Sequence, residues 1–122
     1  KMPRVIYFEL GVKEPEKSLE FYRKVFGWEI NRMGKMDYWL ASTGERQEPG
    51  INGAFIKQTA DSQPIVYTIA VGEIDPFLER VVQEGGKIIL PKKSVPMVGF
   101  TAQCEDSEGN RFNLLQHAPE AH

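Results

Sequence analysis

"VIYFELGV" (Val5 to Val12) and "IVYTIAV" (Ile65 to Val71) are near-copies of one another, each with a tyrosine in third place. β-Branched and aromatic residues in such short runs mark both as strands. The segment after each of them decides the fold. After Val12, "EPEKSLEFYRKVFGW" sets Leu19, Tyr22 and Phe26 at helical spacing, with Val25 beside them. Pro15 sits in the first turn, Glu14 and Glu16 lie at the end of the helix dipole that favours negative charge, and Gly27 is the stop. After Val71, the stretch Asp75 to Glu84 carries Phe77, Leu78, Val81 and Val82 in the same manner and ends at Gly85 and Gly86.

The rest of each half repeats as well. In the first, "WEINRM" and "DYWLAST" around Gly34 and Lys35 predict a hairpin, Gly44 to Gly50 a loop, and "INGAFIKQ" a further strand. In the second, "KIILP" predicts a strand, Pro91 to Pro96 a loop, and "VGFTAQCE" and "RFNLLQH" two strands about the turn "DSEGN". Tyr67 follows Tyr7 by 60 residues, Leu78 follows Leu19 by 59, Gly86 follows Gly27 by 59 and Gln116 follows Gln58 by 58. That drift predicts a tandem repeat with one residue lost at the end of the first strand. The expected fold is α+β: two tandem βαβββ modules, 5–58 and 65–117, in a single domain spanning 1–122. A βαβββ unit covers one sheet face with its helix and leaves the other bare. Two copies are therefore expected to form a curved mixed sheet around a central cavity, with the helices on the outer face. The linker "TADSQP" (Thr59 to Pro64) permits pairing within one chain or exchange with a second, and a homodimer is expected.

Composition narrows the partners. A chain of 122 residues with 41% hydrophobic content suffices for one compact core. Fifteen basic against seventeen acidic residues, with no block of one sign, offer nothing to a polyanion, so no nucleic acid partner is expected. No apolar run is long enough to cross a bilayer and "KMPRVIYF" lacks a signal-peptide pattern, so no membrane partner and a cytoplasmic location are expected. The lone Cys104 excludes an internal disulfide and reads as a small buried hydrophobe of a strand.

The stretches "FELGVKEPEKSLEFYRKVFGWEI" (Phe8 to Ile30), "QEGGKII" (Gln83 to Ile89) and "DSEGNRFNLLQ" (Asp106 to Gln116) resemble the vicinal oxygen chelate superfamily. That family groups glyoxalase I, bleomycin-resistance proteins and extradiol dioxygenases. The resemblance implies its fold over nearly the whole chain, but no one reaction, because isomerases, lyases, dioxygenases and plain binders share the scaffold. It also implies where metal ligands would stand: a His or Gln on the first strand of each module and a Glu on the last. Those positions hold Tyr7 and Tyr67, Asn113, and Ala54 or Phe55. Neutral phenols, an amide and an apolar side chain are poor ligands for a divalent cation, and His117 and His122 lie in the C-terminal tail. No metal site and no cofactor are expected, unless a divalent ion takes ligands from outside the family positions.

Alternation places Glu9 on the face of Tyr7, where its carboxylate could serve as a general base, a metal ligand, an anchor for a cationic group, or a solvated charge. Tyr7 and Tyr67 are expected to line the cavity, the alternative being that they fill core across the pseudo-axis. Trp39 and Phe100 would add apolar wall or pack beneath a helix. Lys92 and Lys93 read as a solvated loop. Three functional classes are open. The first, which the residues favour, is a binder of a small organic molecule using Tyr7, Glu9, Tyr67, Asn113, Trp39 and Phe100. The alternative is a metal-dependent lyase, isomerase or dioxygenase. The third is a metal-free enzyme in which Glu9 abstracts a proton beside a carbonyl and a tyrosine hydroxyl steadies the enolate.

Overall fold

The computed structural model describes residues 3–59 and 63–118, so residues 60–62 of the linker and His122 lie outside the described residues. The element order is β1 (Arg4–Val12), α1 (Pro15–Phe26), β2 (Glu29–Arg32), β3 (Tyr38–Ser42), β4 (Asn52–Lys57), β5 (Ile65–Ala70), α2 (Ile74–Gln83), β6 (Lys87–Val95), β7 (Gly99–Glu105) and β8 (Arg111–His117). This is an α+β fold written as βαβββ twice. The chain divides into two compact units, Tyr7–Val66 and the remainder.

In the first unit the strands lie in the order β2-β3-β4-β1, with β1 parallel to β4 and the other pairs antiparallel. Helix α1 begins at Pro15, whose missing N–H costs nothing at that position, and carries Glu16 in its first turn and Arg23 and Lys24 in its last, both matched to the dipole. It stops at Gly27, which takes the left-handed conformation (φ 72°) and returns its N–H to the Arg23 carbonyl at 2.9 Å. The helix buries Leu19 against Val12, Ile30, Ala41 and Phe55. Tyr22 stacks on Trp28 at 5.1 Å and leans on Phe55 at 5.2 Å, so the residues that end the helix also roof its core.

The second unit repeats the plan as β5-β8-β7-β6, with β5 parallel to β8. Its α2 packs Ile74, Phe77, Leu78 and Val81 against Val71, Ala102, Cys104 and Leu114. Cys104 is fully buried in β7, and burial pushes its thiol pKa up. The helix stop differs in detail from that of α1. Gly85 adopts the positive φ (94°), and Gly86, in the place of Gly27, is needed for another reason: a Cβ there would strike the Glu105 carbonyl and lie 2.9 Å from Val81 Cγ1.

One expected loop is a strand. β6 continues from Lys87 through Pro91 to Val95, with register shifts between Ile88 and Leu90 and between Leu90 and Lys93. It is the last strand of its sheet, so proline's lack of an N–H breaks no further ladder and the irregularities absorb the mismatch. Lys92 is correspondingly not a free loop cation. Its Nζ lies 3.1 Å from Asp75 Oδ2 in the first turn of α2 and 4.8 Å from the centroid of the Phe100 ring.

The two glycines predict different responses. Gly86→Ala should cost about 1–3 kcal/mol through overpacking against backbone that cannot retreat, and Gly27→Ala about 1–2 kcal/mol through left-handed strain alone. Urea unfolding midpoints of the two variants check this.

Candidate functional site

The side chains of the sheets are sorted by register. In the first unit Leu10 stands opposite Phe55 and Glu9 opposite Ala54 on the parallel pair, while Trp39 stands opposite Phe55 and Tyr38 opposite Ile56 on the antiparallel one. Phe55 is buried beneath α1, so Leu10 and Trp39 share that face. The two-residue period then puts Tyr7, Glu9 and Tyr38 on the opposite face. They meet there. The Tyr7 and Tyr38 hydroxyls are 2.7 Å apart, and Tyr38 donates to Glu9 Oε2 at 3.0 Å.

All three residues are half-buried. A phenol carries one proton, and Tyr38 spends its proton on the carboxylate. The oxygen of Tyr38 therefore accepts from Tyr7, and the chain runs Tyr7 to Tyr38 to Glu9. Burial pushes the Tyr7 phenol pKa above its ordinary value, and the Glu9 charge adds to the rise. Tyr38 is driven up strongly, first by burial, then by the charge of Glu9 and its own donated bond to that carboxylate.

The second unit sorts differently from the expectation. Tyr67 stands opposite Phe112 and Thr68 opposite Asn113. Phe112 packs toward the α2 cluster, and the Tyr67 ring stacks with it at 6.5 Å and 15°. Tyr67 is thus on the helix side, the counterpart of Phe8 rather than of Tyr7. Phe8 and Tyr67, Val12 and Val71, and Phe55 and Leu114 all lie 59 residues apart, and no residue is lost within the strand. The counterpart of Tyr7 is Val66, and that of Glu9 is Thr68. On the face opposite α2, Gln103 Nε2 donates to Asn113 Oδ1 at 3.1 Å and Asn113 Nδ2 to Thr68 Oγ1 at 3.4 Å.

Trp39 and Phe100 both pack on helix-side clusters, away from the faces that carry Tyr7 and Asn113. Trp39 lies under the Arg32 guanidinium at 5.2 Å and borders a depression of about 370 Å³ beside the start of α1, together with Lys17, Asp37 and Lys57. Of the expected site residues, Tyr7 and Glu9 are brought together, Asn113 forms its own amide cluster, and Tyr67, Trp39 and Phe100 are directed elsewhere. Tyr38, Gln103 and Thr68 are additions that the sequence reading misses. The signal for Tyr38 is the alternation of "DYWLAS": once Trp39 and Ala41 go to the helix, Tyr38 must take the other face.

These geometries belong to a known class. The chain is a member of the Glyoxalase/Bleomycin resistance protein/Dioxygenase superfamily, whose family model matches residues 4–114. It is 24% identical over 119 residues, 95% of its length, to the glyoxylase candidate CFP32 of Mycobacterium bovis and equally to that of Mycobacterium tuberculosis. The chain spans 45% of the length of each of these relatives. Among solved structures it resembles a glyoxalase/bleomycin resistance protein/dioxygenase superfamily member from Vibrio splendidus 12B01, with TM-score 0.67, 18% identity, and coverage of 93% of this chain and 97% of that one. It also resembles methylmalonyl-CoA epimerase from Mycobacterium tuberculosis, with TM-score 0.60, 12% identity, and coverage of 94% and 88%. At such identities these likenesses show the fold.

The residues at the family's ligand positions do not fit a divalent cation. In the observed register they are Tyr7, Val66, Ala54 and Asn113, which together supply one neutral phenol and one amide. Among the described residues, no three or more His, Cys, Asp or Glu side chains are grouped so as to hold a metal ion. No helix among them is long and apolar enough to cross a membrane.

The raised phenols have a measurable consequence. A group whose folded pKa exceeds its unfolded value gives stability that is complete below the unfolded pKa, near 10 here, and is lost as pH rises through the folded one. Titration of phenolate absorbance should show Tyr7 and Tyr38 ionising late. Stability should fall as pH climbs above about 10. Tyr38→Phe should remove much of that alkaline loss, with denaturant midpoints at about pH 8 and about pH 11 as the readout.

Proposed function

We propose that this chain binds a small organic molecule, without a metal ion, on the sheet face of its first unit opposite α1. The observation that carries the reading is the Tyr7–Tyr38–Glu9 chain: a half-buried carboxylate and two phenols linked at 2.7 and 3.0 Å on a face its helix leaves uncovered. Polar groups ordered in this way on a partly apolar surface are what orients a small ligand. In the second unit, Asn113 is held by Gln103 and Thr68 on the face opposite α2. Membership of a superfamily whose name joins glyoxalases and bleomycin-resistance proteins supports small-molecule binding as the class of activity. The poor fit of the family ligand positions to a cation supports the metal-free form of it.

A thermal-shift screen of several hundred small organic molecules tests the reading. Compounds that bind only the folded state raise the melting temperature further as their concentration exceeds the dissociation constant. At least one is expected to raise it by several degrees in the wild type and by less in Tyr7→Phe. A screen without a concentration-dependent hit, or hits indifferent to Tyr7, Glu9 and Tyr38, would count against this face. Elemental analysis of protein purified without chelator is expected to show metal well below one equivalent. A stoichiometric divalent ion would instead favour a metal-dependent lyase, isomerase or dioxygenase.

A further inference from the structure

Hydrogen accounting on the Tyr7–Tyr38–Glu9 chain says what kind of ligand it can take. Three oxygen-bearing side chains share two phenolic protons, and both protons are committed. One lies between Tyr7 and Tyr38, the other between Tyr38 and Glu9 Oε2. An ionised carboxylate donates nothing. What the chain presents outward is therefore lone pairs only: those of Glu9 Oε1, the remaining one on Oε2, and those of the Tyr7 oxygen. Among the described residues no Lys, Arg or His forms an ion pair with Glu9, although other surface carboxylates such as Asp37 and Asp75 are paired with cations. Among the described residues, the Glu9 carboxylate thus has no ion-pair partner.

We infer that the site selects an organic cation bearing N–H groups, a protonated amine or an amidinium, with the nitrogen donating to Glu9 and Tyr7. This rests on the proposed small-molecule reading of the same face and decides between roles that the sequence left open for Glu9. An enolate, carboxylate or phosphate group would meet acceptors instead of donors and a like charge. A hydroxyl ligand could donate one hydrogen bond but would gain no charge pairing. Tyr38 acts as a positioning residue: its hydroxyl fixes Oε2 and accepts the Tyr7 proton, which turns the rest of the carboxylate outward. Charge-assisted hydrogen bonds are about twice as strong as neutral ones, so the preference for the cation should be large enough to measure.

Isothermal titration calorimetry with three probes of similar shape tests the inference: benzamidinium, benzyl alcohol and benzoate. Benzamidinium is expected to bind about tenfold or more tighter than benzyl alcohol, and benzoate to show no saturable binding. In Glu9→Gln the benzamidinium affinity should fall by about tenfold or more. Benzamidinium binding no tighter than benzyl alcohol, absence of benzamidinium binding, or a preference for benzoate would each overturn the inference. The wild-type ranking alone decides the matter, so the test stands even where the variant fails to fold. The broader reading is judged separately. Neutral or anionic hits in the thermal screen that respond to Tyr7→Phe would keep a ligand site on this face while removing its cation selectivity.

Discussion

Each helix buries one face of the four strands of its unit, and the two-residue period of a strand then leaves no choice about what lies on the other face. Phe55 illustrates the constraint. It is fully buried beneath α1, and its neighbours across the ladders, Leu10 and Trp39, must share its side. Tyr7, Glu9 and Tyr38 are directed to the opposite side by the same parity. The polar chain that carries the functional reading is thus a by-product of packing on the helix side. A one-residue slip in β1 or β3 would disperse it, and in β1 it would bury Glu9 among apolar side chains, an outcome that the cost of desolvating an unpaired carboxylate opposes.

The two units are built alike, yet the faces away from their helices differ chemically. In the first, two phenols converge on a carboxylate. In the second, two amides and a hydroxyl form a neutral cluster around Asn113. A repeated scaffold has kept its core positions, such as Val12 and Val71 or Phe55 and Leu114, while the opposite faces have diverged. Different chemistry on a common packing plan is how one superfamily fold hosts many activities.

How much is legible in the sequence depends on the range of the forces involved. Strand, helix and stop signals are local: Pro15, Leu19, Tyr22 and Gly27 declare α1 within a dozen residues, and the second half repeats the declaration. The edge strand β6 is only half legible, because a proline that ends most strands is tolerated where no further strand pairs. Lys92 reads as solvated for a similar reason. Its partner Asp75 is seventeen residues away, in a helix that only folding brings near.

The sequence by itself determined the α+β class, the doubled βαβββ order, the buried state of Cys104 and the face shared by Tyr7 and Glu9, all of which rest on local periodicity and spacing. Tertiary structure alone decided that Tyr67 corresponds to Phe8, that Trp39 and Phe100 serve the helix side, and that Tyr38 closes the chain between Tyr7 and Glu9. The physical reason is register. Alternation says that neighbours point opposite ways, but which way is set by pairing with a strand elsewhere in the chain and by the helix that must be covered, and neither is written within the strand itself.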